Sequence, residues 1–282
     1  MMDNPQQTTP EGQSLSGRSP LVFFTLVFAL AIPFWVIGGL TGLQLLPGLP
    51  VTALMAVCPA LAALILAYRK NRSTGVTMLL KRAFDYKRIT AKIWYAPILL
   101  LMPVVMTLSF GVIRLTGTPV PAPLISAAPT LILCIVFFVA ALCEELGWSG
   151  YAIDPMQHRL GALQASIVLG LVWAVFHYVA LVQAHRSVAW IAWWSLGTVA
   201  LRVIIVWLYN NTGKSVFAVA LFHMMINVTW QLFPVDGSHY DPRISSLISG
   251  LVAVIVIIVW GPRTLSRPIK GVLDGGNHRP IC

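Results

Sequence analysis

Two adjacent carboxylates, Glu144 and Glu145, follow the apolar run from Thr130 to Cys143, in a chain with only nine acidic residues. A charged carboxylate at bilayer depth costs about 2.5–3.5 kcal/mol on insertion scales, so such a pair calls for partners and a use. Further along, His177 closes the stretch Leu171 to His177, Arg202 stands inside another apolar run, and His223 and Asn227 are spaced so that both fall on one helix face. A single intramembrane His or Asn is explained by a hydrogen bond that holds neighbouring helices together. Two acids, two histidines and an amide make a larger inventory: a base, a group to orient it, and donors for a developing negative charge. Glu, His and His with an open fourth position is also a catalytic zinc set; no HExxH pair is present, and spacing alone leaves zinc open.

The elements that must position these residues are apolar helices. The chain is 57% hydrophobic and 10% charged, with a mean hydropathy of +0.80, whereas a soluble domain carries about 25% charged residues. That composition predicts an all-α, polytopic membrane bundle. Stretches able to cross a bilayer, about 20 residues each, fall at roughly 21–43, 50–68, 93–113, 129–152, 163–182, 189–209, 216–234 and 244–260, giving eight spans. Residues 1–20, rich in Pro, Gln, Ser and Thr, read as a disordered cytoplasmic tail, 21–260 as the transmembrane domain, and 261–282 as a cytoplasmic C-terminal tail.

The net charge of +10 follows the membrane and does not point to nucleic acid. Most Lys and Arg sit in the tails and in the loops at 69–92, 153–162 and 210–215, while the opposite loops hold Arg114, Arg186 and Arg243. By the positive-inside rule both termini are cytoplasmic. Between the second and third spans, Val76, Leu79, Leu80, Ala83 and Phe84 recur at helical spacing among Lys81, Arg82, Lys87 and Arg88, as in an amphipathic helix on the inner leaflet. A solvated basic face that only sets topology is the plainer reading of the same pattern. Cys58, Cys134 and Cys143 lie in apolar segments and behave as small hydrophobes there.

Read in order, Glu144-Glu145-Leu146-Gly147-Trp148-Ser149, Trp173-Ala174-Val175-Phe176-His177 and His223-Met224-Met225-Ile226-Asn227 resemble the three motifs of the CAAX prenyl protease and bacteriocin-processing (CPBP) family of intramembrane proteases: EExxxR, FxxxH and HxxxN or HxxxD. The resemblance covers about residues 129–232. Two positions depart from it. Ser149 stands where the first motif has arginine, and Trp173 opens the second motif in place of Phe. Position 149 is one helical turn beyond Glu145, so the family arginine could pair with that carboxylate and a serine cannot. Glu145 is then either protonated or served by another cation, with Arg202 the first candidate and Arg159 the next.

The resemblance implies an intramembrane endopeptidase in which Glu144 and His177 activate a water while His223 and Asn227 stabilise the oxyanion, without a cofactor. A desolvated carboxylate suits that role, as base toward water and then acid toward the departing amine. The expected partners are a membrane-associated peptide or protein substrate and the lipid bilayer itself. Substrate would reach a cytoplasm-facing cavity, because the glutamates fall near the cytoplasmic end of the fourth span. Trp148 and Trp173 either line that cavity or pack helices as ordinary membrane tryptophans. Short loops and the resemblance point to a bacterial inner membrane. A proton- or metal-coupled transporter uses similar residue types but predicts repeated halves with interrupted helices, which the chain lacks beyond Pro33, Pro59 and Pro103. A catalytically silent member of the family that binds a partner or lipid is the third reading, kept open by Ser149.

Overall fold

A computed structural model describes residues 19–46, 48–123, 125–233 and 237–267. Residues 1–18 of the tail expected at 1–20, residues 268–282 of the tail expected at 261–282, and the last residue of the span expected at 216–234 lie outside the described residues. The helices are α1 (Pro20–Thr41), α2 (Cys58–Lys81), α3 (Tyr95–Leu115), α4 (Ala127–Gly147), α5 (Ile153–Leu160), α6 (Ala162–Gln183), α7 (Val188–Asn211), α8 (Val216–Leu232) and α9 (Pro242–Trp260). A two-stranded ribbon, β1 (Gln44–Leu46) with β2 (Leu49–Pro50), follows α1. Among the described residues, seven helical runs are long and apolar enough to cross a membrane, and α8 is a shorter apolar helix. The chain is an integral, multi-pass membrane protein built as an all-α bundle.

Burial sorts the helices. One side of α1 and the part of α4 that precedes the glutamates turn large apolar side chains outward, among them Leu21, Ile32, Leu131, Ile132, Ile135 and Val139. In water such a surface would be an aggregation patch, whereas in lipid it costs nothing. α7 is the inner helix, with every residue from Arg202 to Tyr209 buried. It packs along α6 on one side and α9 on the other, while α4 lies against α8 and α2. Two glycines make close approaches possible. A Cβ on Gly147 would come within 2.5 Å of the Pro59 carbonyl, so α4 can cross the start of α2 only without a side chain there. A Cβ on Gly170 would lie 3.0 Å from the Val199 Cα, and its absence lets α6 seat against α7 beside Arg202.

Three differences from the sequence expectation have local causes. The fourth span does not stop at 152: the helical path continues through a wider π turn, Trp148–Ala152, into α5, making one run from Ala127 to Leu160. Glu144 therefore sits midway along this run and not near its end. The second span starts with a 3₁₀ turn, Val51–Val57, and Pro59 opens α2 without interrupting it, since a proline at the first helical turn forfeits no needed hydrogen bond. Finally, the amphipathic segment is the continuation of α2 past a kink at Asn71 and Arg72, where Arg72 has φ of 51°, followed by 3₁₀ turns at Arg82–Phe84 and Tyr86–Arg88. Leu79 and Ala83 face inward there, while Met78, Leu80 and Phe84 are exposed.

Candidate active site

The Glu144–Glu145 pair lies where α4 passes from lipid-facing to fully enclosed, immediately before the π turn. Single π turns inside α-helices recur at functional sites because the extra residue re-aims neighbouring side chains. Here it accompanies complete burial of every residue from Glu144 to Ile153.

The two carboxylates have separate environments. Glu145 is 0% exposed. Arg202 Nη1 on α7 donates to both of its oxygens, at 3.1 Å each, and the Ser149 hydroxyl donates to Oε2. His223 Nδ1 on α8 is 3.1 Å from Oε1. Arg202 also stacks over the Trp173 ring, 4.2 Å from its centre, which covers one face of the guanidinium. Its Nε and Nη2 find no hydrogen-bond acceptor among the described residues. Arg159, the other cation considered for Glu145, is exposed near the end of α5. The charge missing from position 149 is thus supplied from another helix, while Ser149 contributes a neutral hydrogen bond to the same carboxylate.

Glu144 is held by two indoles. Trp173 Nε1 donates to Oε2 at 2.8 Å, and Trp148 Nε1 donates to the same oxygen at 3.1 Å. An indole N–H can only donate, so Oε2 is the acceptor in both contacts. The other oxygen, Oε1, is 4.0 Å from His177 Nε2 and 4.0 Å from His223 Nε2. These separations exceed a direct hydrogen bond and match what a single bridging water spans. His177 Nδ1 lies 2.9 Å from the Trp173 carbonyl, which can only accept, so Nδ1 carries the proton and Nε2 of the neutral ring keeps a free lone pair toward Glu144. Phe23 and Phe176 pack edge-on against Trp148, at 5.5 and 5.6 Å between ring centres, and fix that indole from α1 and α6.

Asn227 is one turn beyond His223 and half-buried. His177 is the most open of the two histidines and two glutamates, with 23% of its side chain exposed against 6% for Glu144 and 3% for His223. Approach to Glu144 is therefore from the His177 side. The structure brings Glu144, Glu145, His177, His223, Arg202, Trp148 and Trp173 into one connected cluster and puts Asn227 on the adjoining turn. The hydrogen-bonding role of both tryptophans was not visible in the sequence, where they read as liners or packing residues. The one signal was Trp173 in place of Phe, which adds an N–H at a position otherwise only aromatic.

Among the described residues, no group of three or more His, Cys, Asp or Glu side chains is disposed to hold a metal ion. Glu144, His177 and His223 remain the set from which a zinc ion would have to draw ligands.

Two comparisons with known proteins bear on this cluster. The Rce1-like family model, described as type II CAAX prenyl endopeptidase Rce1-like, matches residues 126–229, a span that contains all eight site residues. CAAX prenyl protease 2 of Methanococcus maripaludis is 26% identical over 267 residues, covering 85% of this chain and 93% of that protein.

Proposed function

We propose, from the CPBP-family membership that both comparisons support, that this chain is an intramembrane endopeptidase of the CAAX type in which Glu144 activates water for attack on a peptide bond of a membrane-associated substrate. The observation that carries the reading is the asymmetry of Glu144: one oxygen is committed to two indole donors and the other faces two imidazole Nε2 atoms at water-bridging distance.

The chemistry follows from those contacts. A water between Glu144 Oε1 and His177 Nε2 gives its proton to the carboxylate as its oxygen attacks the scissile carbonyl carbon. Charge develops on the carbonyl oxygen, and His223 and Asn227 are the donors on the facing helix. Because His223 Nδ1 points at Glu145, a second donation from Nε2 requires the imidazolium form. Protonated Glu144 then passes its proton to the leaving nitrogen, the C–N bond breaks, and one peptide bond plus one water has become a carboxylic acid and an amine. Arg202 and Ser149 act on this sequence through Glu145, by holding it oriented behind His223. Orientation in the bilayer, with the basic loops and both termini cytoplasmic and the membrane a bacterial inner one, belongs to the same proposal and rests on charge distribution.

Reconstituted protein supplied with a library of membrane-tethered peptides tests the reading. Wild type is expected to yield products that disappear in both Glu144→Gln and His177→Ala, and undiminished cleavage by Glu144→Gln would remove Glu144 as the base. Exhaustive chelation is expected to leave the rate unchanged. Loss of activity that zinc restores would move the mechanism to a metal-bound water.

A further inference from the structure

Outside the glutamate cluster, the densest polar contacts lie where the basic segment after α2 meets the π turn. Arg82 is the hub. Its side chain is 18% exposed; Nη1 donates to the Gly150 carbonyl at 2.9 Å, and Nη2 donates to the Tyr209 hydroxyl and to the Lys214 carbonyl at 2.7 Å each. Tyr209, fully buried on α7, donates in turn to Asp154 Oδ2 at 3.0 Å, and Lys214 pairs with Asp154 Oδ1 at 3.0 Å. The segment carrying Arg82 is anchored nearby by Asp85, which accepts from the Ser215 hydroxyl at 2.7 Å and from the backbone N–H groups of Val216 and Phe217, capping α8 from outside its own chain segment.

The target of Arg82 is what gives this network a bearing on the site. In the π register, N–H groups reach back five residues, as Ile153 N–H does to the Trp148 carbonyl. Gly150, the third residue of that turn, has its carbonyl within reach of Arg82. Arg82 presents a charged donor to that carbonyl from another element. The same turn carries Trp148, whose indole holds Glu144, and Ser149, whose hydroxyl holds Glu145.

We propose that Arg82 is a positioning residue for the glutamate pair: by binding the Gly150 carbonyl, together with Tyr209 and the Lys214 carbonyl, it holds the π turn in the register that aims Trp148 at Glu144 and Ser149 at Glu145. The inference rests on the endopeptidase reading for its catalytic consequence and on geometry for its structural one, so two readouts separate them. In the reconstituted full chain, Arg82→Gln is expected to lower kcat about 10- to 100-fold with KM within about twofold, since a misplacement of about 1 Å at a reacting group costs on that order. Arg82→Lys, which keeps one donor and the charge, is expected to fall between. Hydrogen exchange is the second readout: amides of residues 148–154 should exchange faster in Arg82→Gln, with α6 and α9 unchanged. Where Arg82→Gln fails to fold, Tyr209→Phe removes one acceptor of Arg82 and the donor to Asp154 while keeping the ring, and the same pattern is expected in milder form. Unchanged exchange in 148–154, a rise spread over all helices, or a change in KM alone would overturn the proposal. If Glu144→Gln abolishes cleavage while Arg82→Gln leaves kcat intact, this inference fails and the endopeptidase reading stands. If wild type cleaves nothing, that reading fails, and the exchange result alone decides whether Arg82 holds the turn.

Discussion

Removing the Arg202 guanidinium while leaving Glu145 in place should be the most damaging conservative change in the bundle for stability. Arg202→Met keeps the stem and most of the packing volume but strands a carboxylate that is 0% exposed. Breaking a buried pair from one side costs about 3–5 kcal/mol. The lower end applies here, for two structural reasons. Only Nη1 engages the carboxylate, at 3.1 Å to both oxygens, so the pair lacks the two-pronged fork of the strongest arginine contacts. The Ser149 hydroxyl and His223 also remain to solvate Glu145. Loss of the stacking on Trp173 adds about 0.5–2 kcal/mol, bringing the single substitution to roughly 4 kcal/mol. Adding Glu145→Gln removes the stranded charge and keeps the shape and one acceptor oxygen, so the double variant should recover about 2–3 kcal/mol of that loss. The assay is denaturant unfolding of the full chain in one detergent, run as a double-mutant cycle. A coupling below about 0.5 kcal/mol would refute the reasoning, since it would mean that the two groups do not depend on each other. The reciprocal exchange Ser149→Arg with Arg202→Ser gives an independent check: it returns the cation to the position one turn beyond Glu145 and should be more active than Arg202→Ser alone.

Trp173→Phe keeps the ring beside Arg202 and His223 but deletes the 2.8 Å donor to Glu144; a hydrogen bond to a charged group is worth about 1.5–3 kcal/mol, so kcat is expected to fall roughly 10- to 100-fold with little change in melting temperature, and an unaltered rate would show that the indole N–H is dispensable. At the start of α9, Asp241 accepts from the Arg243 side chain and backbone N–H, and these bonds hold its carboxyl below the usual carboxylate range. A lowered native value means the cap is fully stabilising above the unfolded value near 3.8 and is lost as pH falls below it. Exchange of the amides following Asp241 should therefore accelerate in acid, and an Asp241→Asn variant, still a competent cap, should show no such pH step; identical pH profiles for the two would contradict this.

Much of the architecture was legible in the chain itself. Apolar runs of bilayer length, with basic residues gathered in alternate loops, are imposed by the solvent, because a lipid interior forces every backbone group into helix and every side chain facing it to be apolar. The ordered motifs around Glu144, His177 and His223 are legible for a related reason: a charged or strongly polar residue at that depth is too costly to occur by drift, so its position is informative. Helix ends were less readable. Nothing in Gly147-Trp148-Ser149 announces a π turn, because its stability comes from Arg82 and from the packing of Trp148 between Phe23 and Phe176, all distant in sequence. The same holds for the partner of Glu145. Composition offered two cations, Arg202 and Arg159, and nothing local chose between them. The choice was made by the seating of α6 on α7 at Gly170, which sets Arg202 between the Trp173 ring and the carboxylate. The sequence by itself determined that buried acids, histidines and an amide had to meet in a membrane bundle. Which oxygen faces which donor, with Glu144 clamped by two indoles and Glu145 paired across helices, was decided only by tertiary structure, because hydrogen bonds depend on direction and distances of a few tenths of an ångström that only helix packing sets.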